Sequence, residues 1–285
     1  MSELGGRING ARQRLEGGEC GVLVTIECAA GSVPRDADTT MLVFAEDSIG
    51  TIGGGALEHS AQRRARAALN EAAGLPDRET IPLGPTIGQC CGGSVVLRFT
   101  EVGASNVGLL DEWFQQLMDE TIPLWLFGAG HVGRAVVKAM TPLPFRLTWI
   151  DSRASIFPNG MEPEVETVRA CVPYLEVSRA PAGAMLLVMT HSHAQDFDIV
   201  DSALKRADLS FIGLIGSATK RTRFRTRLQA RGHSHQTMSR LICPIGIAGI
   251  AGKEPEIIAA SVAAQLLQLR AAMKGVAPMP VSLTG

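Results

Sequence analysis

Residues 128–133, Gly128-Ala129-Gly130-His131-Val132-Gly133, carry the most chemical information in this chain. They follow a short apolar run, Leu124–Phe127, and open a helix-like stretch that reaches Met140. Asp151 closes the next apolar run, 18 residues beyond Gly133. In a strand–turn–helix unit these residue types have distinct jobs. One glycine makes a tight turn, one lets backbone N–H groups approach a phosphate, one packs helix on strand, and the acid meets a ribose hydroxyl. Gly128, Gly130, His131, Gly133 and Asp151 are therefore candidate cofactor-binding residues. The competing reading is a turn of the same shape that binds nothing.

Four further stretches invite the same question. Thr51-Ile52-Gly53-Gly54-Gly55 leads into a helix expected over Ala56–Ala73, with Glu58 in its first turn. Successive N–H groups at such a helix end can hold an anion, or the glycines serve only their φ freedom at a hairpin exit. Gln89-Cys90-Cys91-Gly92-Gly93 sets thiols beside glycines, where a ligand can come close and positive potential favours the thiolate. The plainer alternative is a small buried hydrophobe in a turn. Adjacent residues of an extended chain face opposite ways, so at most one of Cys90 and Cys91 serves a ligand. Thr190-His191-Ser192-His193 follows the apolar run 184–189, at the carboxyl end of the expected sheet, where open α/β folds bind ligands. His191, His193 and Asp196 could form a metal site or supply a base. Alternatively, Ser192 or Asp196 caps the next helix. Gly216-Ser217 opens a segment in which residues 220–231 hold six basic side chains and no acid. Such a turn suits a phosphate, with Ser217, Lys220 and Arg221 placed to reach it and the remaining arginines on a solvated face.

These stretches need elements to hold them. The first 100 residues read as strands joined by glycine turns, at Gly21–Glu27, Met41–Ala45, Ser48–Ile52 and Ser94–Thr100. An amphipathic helix is expected over Val107–Glu120, with Leu110, Trp113, Phe114 and Leu117 on one face. From Leu124 on, apolar strand-sized runs alternate with helical ones, which predicts a parallel sheet with crossover helices. The expected class is α/β: a small β-rich N-terminal domain over residues 1–118, then a Rossmann-like parallel-sheet domain over residues 119–285. The ligand site is expected where the two domains join.

Composition narrows the function classes. Of 285 residues, 46% are apolar and 19% charged, with a net charge of −1, which marks a folded chain with a core and not a disordered segment. There is no surplus of positive charge to release counterions from a nucleic acid, and aromatics at 5% argue against a base-stacking platform. No apolar run approaches the roughly 20 residues of a membrane span. The N-terminal residues lack the apolar run of a signal peptide. The six cysteines show no C-x-x-C pair and read as thiols in a reducing cytoplasm. Hydrolase, zincin and P-loop patterns are absent. The chain offers several places to hold an anion and few to react with one.

Together these residues resemble the XdhC/CoxI family of accessory proteins for molybdenum hydroxylases. The pieces are Gly31-Ser32-Val33-Pro34-Arg35, Ile52-Gly53-Gly54-Gly55 with Glu58, Cys91-Gly92-Gly93, Phe127–Gly133, Met189–His193, Ile212–Ser217 and Pro244-Ile245-Gly246-Ile247, in that order along nearly the whole chain. The resemblance implies a homodimeric chaperone that is not itself an enzyme. It would bind molybdenum cofactor (molybdopterin carrying molybdenum) and guard it while a cysteine-desulfurase-like sulfurase installs the terminal sulfur. It would then insert the cofactor into apo xanthine dehydrogenase. Gly53, Gly54, Gly55, Glu58, Cys90, Cys91, Gly92 and Gly93 join Gly128, Gly130, His131, Gly133, Asp151, His191, His193, Gly216, Ser217, Lys220 and Arg221 as the expected binding set. Soft-thiol chemistry suggests Cys90 or Cys91 as a molybdenum ligand. Many relatives carry an acid where this chain has Ala248, so no role for that acid is transferred. A rival expectation is an NAD-dependent oxidoreductase that uses residues 128–133 and Asp151, with His191 or His193 as acid/base. A third is an adaptor that joins apoenzyme to sulfurase without holding cofactor.

Overall fold

The structure is a computed structural model, and it describes residues 2–71, 74–83, 92–158 and 165–275. The chain divides into two compact units, Glu3–Asp119 and the stretch from Glu120 onward.

The N-terminal unit is built on a five-stranded antiparallel sheet in the order β3-β2-β1-β5-β4. The strands are β1 (Gly21–Ala30), β2 (Thr40–Val43), β3 (Ser48–Gly50), β4 (Arg78–Pro82) and β5 (Ser94–Val102). Side chains alternate across β1. Val22, Val24 and Ile26 pack with Leu57, Ala61 and Ala65 of α2 (Gly55–Glu71), while Leu23 packs with Ile8 of α1 (Ser2–Glu16) and Trp113 of α3 (Gly108–Asp119). Helix α1 is not foreseen from the pattern, because Gly5, Gly6 and Gly10 lower its helix propensity. Tertiary packing overrides that weakness: Ile8, Ala11 and Leu15 recur at helical spacing and are buried.

The C-terminal unit is a six-stranded, wholly parallel sheet in the order β11-β10-β9-β6-β7-β8. Its strands are β6 (Ile122–Phe127), β7 (Phe145–Asp151), β8 (Glu166–Arg169), β9 (Met185–Val188), β10 (Phe211–Leu214) and β11 (Leu241–Ile242). Helices α4 (His131–Met140) and α8 (Pro255–Met273) bury their apolar sides on one face. The other face is covered by α5 (His193–Leu204), α6 (Ala218–Ala230), the short α7 (His235–Ser239) and a 3-10 segment, Pro173–Arg179. With both faces covered, β6 and β9 can be apolar without alternation. Mapped onto chain order, this is the Rossmann order, with β6 as first strand. The winding direction reverses between β6 and β9, which is where such sheets open a crevice for ligands.

Candidate functional site

The crevice is shaped by backbone before any side chain is considered. Gly128 follows β6 with φ of +120°, and a Cβ there would overlap the carbonyl oxygen of Met189 at the end of β9. A Cβ on Gly133 would overlap the carbonyl oxygen of Gly128 itself. That oxygen is held from beneath by the indole N–H of Trp149, at 3.0 Å, and the Gly128 N–H donates to Ile150 O at 2.8 Å. Packing within the protein therefore accounts for two of the three glycines. It does not account for the third. Gly130 has an ordinary φ of −75°, stands at the N-cap of α4 without a side-chain cap, and would place a Cβ in open space. His131, the first residue of α4, is exposed.

Asp151 is not available in the way the sequence suggests. It is 2% exposed, and both carboxylate oxygens are engaged within the chain. Oδ2 accepts from the Ala129 N–H at 2.7 Å and from the Arg153 guanidinium at 2.8 Å. Oδ1 accepts from Arg153 N–H at 2.9 Å and Arg153 Nε at 3.0 Å. The carboxylate thus ties the glycine turn to the end of β7. Burial pushes this carboxyl up, but the hydrogen bonds from Arg153 and Ala129 outweigh it and hold it below its ordinary 3.8. A depressed carboxyl stabilises the fold when ionised, above about pH 4, and that contribution disappears as pH falls through the folded value. Asp151→Asn is accordingly expected to be about 2 kcal/mol less stable than wild type at neutral pH, with the gap closing as pH falls below the ordinary carboxylate range. Denaturant unfolding across that pH range is the check; a gap that persists in acid would contradict the clamp.

The loops after β9 and β10 are joined by a second internal contact. Asp196, fully buried, receives Lys220 Nζ at 2.7 Å on one oxygen, and the Thr190 N–H and hydroxyl at 2.9 and 2.7 Å on the other. Lys220 also donates to Ile215 O at 2.8 Å. Lys220, expected to reach a ligand phosphate, is therefore committed to its own chain. Both Asp196 oxygens are likewise engaged within the chain and so are not free to share a metal with the histidines. His191 and His193 are both exposed, and no three metal-ligating side chains cluster among the described residues. Ser192 and Ser217 cap α5 and α6, accepting from Gln195 N–H and Lys220 N–H. Gly216 lies against the Lys220 stem, and Arg221 is exposed.

Past β11, residues 244–252 fold over the start of α8 and enclose, with Ile215 and Gly216, a cavity of about 410 Å³. Ser261 and Gln265 of α8 fix this loop, accepting from the Ile247 and Gly246 N–H groups at 2.8 Å each. Ala248 lines the cavity. Sequence reasoning names the loop but not Ser261 or Gln265, which reach it from a helix 14 and 19 residues further along, nor Arg153, whose partner is two residues away.

In the N-terminal unit the glycine-rich motifs meet. Gly53 abuts the Pro34 ring, and a Cβ on Gly93 would overlap Ser32 O. The anion expected at Gly53-Gly54-Gly55 is supplied by the chain itself. Glu58 Oε2 accepts from Ile52 N–H and Gly54 N–H at 3.0 Å each, and from the Thr51 hydroxyl. A carboxylate in a helix's first turn is favourably placed against the positive end. Gly55 and Gly92 are exposed, while Cys90 and Cys91 lie outside the described residues.

Family models place this architecture. Residues 124–266 match the XdhC Rossmann domain, and residues 14–77 match the model described as the XdhC and CoxI family. The chain belongs to the XdhC/CoxI family. Among curated relatives it is 28% identical over 248 residues to the uncharacterized protein YqeB of Escherichia coli strain K12. That match takes in 84% of this chain but spans only 42% of YqeB's length. Among solved structures, a Bacillus halodurans protein described as a xanthine dehydrogenase superposes with a TM-score of 0.78, at 21% identity, over 99% of both chains. At that identity the likeness speaks for the shared fold. Among the described residues no helix is long and apolar enough to cross a membrane.

Proposed function

We propose that this chain binds molybdenum cofactor as cargo in the crevice of its C-terminal domain. It protects the cofactor while a cysteine-desulfurase-like partner supplies the terminal sulfur, then passes it to apo xanthine dehydrogenase. In this reading the chain acts as a cytoplasmic homodimer and turns over no substrate. Release needs only a lower free energy in the acceptor and a path to it.

The observation that carries the reading is Gly130. The protein's own packing explains Gly128 and Gly133, whereas Gly130 faces open space at an uncapped helix start. A glycine that the fold does not need, placed where free N–H groups converge, suits close approach of a phosphate. The cofactor's phosphate would rest on the first-turn amides of α4, with its pterin toward the loops after β9 and β10. Membership of the XdhC/CoxI family supports molybdenum cofactor as the cargo. The NAD reading is weakened by Asp151, whose oxygens are already taken, and by His191 and His193, neither of which has an orienting hydrogen-bond partner among the described residues.

The test uses purified full chain incubated anaerobically with molybdenum cofactor, then freed of unbound ligand by gel filtration. Near-stoichiometric retention of molybdenum and oxidised-pterin fluorescence is expected. Gly130→Val is expected to cost about 1 kcal/mol of stability, as a poorer N-cap residue, and to abolish most retention in protein that remains folded. Folded wild type that retains neither molybdenum nor pterin would defeat the proposal and leave the adaptor role.

A further inference from the structure

We infer that a small cavity between α5 and α6 is an oxyanion subsite, shaped for one phosphate group. Lys220, Arg223, Phe224 and Arg227 fall at i, i+3, i+4 and i+7 of α6. Three of the four are cations; Phe224 is buried with Leu228 on the side of α6 that packs against the domain, while Arg223 and Arg227 flank that side and are exposed. With His193, Ser217 and Thr219 they line a cavity of about 140 Å³. Aromatic rings back the cations: the Arg227 guanidinium lies 3.8 Å from the Phe197 ring centroid, and Lys220 Nζ lies 5.6 Å from that of Phe224.

Carboxylates do not balance this charge. Among the described residues Lys220 is paired with Asp196, whereas Arg223 and Arg227 have no acidic partner. Residues 209–253 contain eight lysines and arginines and not one aspartate or glutamate. Like charges four apart on a helix repel one another. A dianion between Arg223 and Arg227 would relieve that repulsion and accept charge-assisted hydrogen bonds from both. The positive ends of α5 and α6, represented in the cavity wall by His193 and Ser217, act in the same direction. The ligand chemistry is therefore phosphate, either free or as the phosphomonoester of a larger molecule. The subsite stands independently of the cofactor proposal, since its probes contain neither pterin nor molybdenum.

The experiment is calorimetric titration of the full chain, in phosphate-free buffer of low ionic strength, with inorganic phosphate and separately with glycerol 3-phosphate. Saturable one-to-one binding is expected, weakened about tenfold or more by Arg223→Gln and by Arg227→Gln. Arg225→Gln is the matched control: Arg225 is exposed on the same helix, hydrogen-bonds His235, and does not line the cavity. It should change affinity less than about twofold. Tighter binding of the monoester assigns the subsite to a ligand's phosphate group; tighter binding of inorganic phosphate assigns it to the free ion. Absence of saturable binding of both probes up to about 10 mM, or equal loss from Arg225→Gln, overturns the subsite.

Discussion

Gly133→Ala is expected to lower the stability of the C-terminal domain by about 3 kcal/mol, a large effect for one added methyl group. The cause is local and rigid. The added Cβ would overlap the Gly128 carbonyl oxygen, and that oxygen cannot retreat because the Trp149 indole N–H holds it at 3.0 Å. Either the first turn of α4 moves off the sheet or the Gly128 turn opens. For a domain of this size the shift corresponds to roughly 6–12 °C in Tm. Tryptophan emission is a suitable readout, because Trp125 and Trp149 both lie in this domain. The comparison with Gly130→Ala, three residues away and expected to cost less than about 1 kcal/mol, separates steric overlap from a general intolerance of alanine in the turn. A loss below about 0.5 kcal/mol for Gly133→Ala would mean that strand and helix are not in backbone contact there.

Lys220→Met should be comparably damaging, by about 3–5 kcal/mol, because it strands the buried Asp196 carboxylate. Lys220 is 11% exposed and Asp196 fully buried, so water cannot replace the lost ammonium. The diagnostic is a double-mutant cycle. Lys220→Met with Asp196→Leu should recover much of the loss, since a buried pair removed whole costs less than one broken. Additive losses would show that the pair contributes nothing as a pair. The outcome also governs how ligand-binding data on Lys220 variants are read. A drop in anion retention there reports a disturbed loop before it reports a lost contact.

The parallel sheet was readable because its signals are local. Leu124–Phe127, Phe145–Asp151 and Met185–Val188 are apolar runs of strand length, each followed by turn residues. The two-residue β11 and the 3-10 segment Pro173–Arg179 fall below any periodicity window. Helix α1 was hidden by its glycines. For the candidate site, sequence singles out loops that the structure places after β6, β7, β9 and β10, but not the internal partners that several of the side chains take up. Glu58, Asp151 and Lys220 were each expected to meet a ligand, and each instead meets the protein. The reason is shared. A motif records that an anion or cation belongs at a backbone feature, but a partner contributed by the chain itself satisfies it equally well. Glu58 lies only four residues from Gly54 and Arg153 two from Asp151, yet nothing in the spacing says which way those side chains turn.

The clamp formed by Asp151 has an entropic consequence. The glycine turn is fixed at Gly128 N–H, Gly128 O and Ala129 N–H by three hydrogen bonds from within the domain. Ordering a free loop would cost roughly 1–2 kcal/mol per residue at the moment of binding. Here that cost falls at folding, so a ligand meets a surface already set, and its affinity is not reduced by having to organise it.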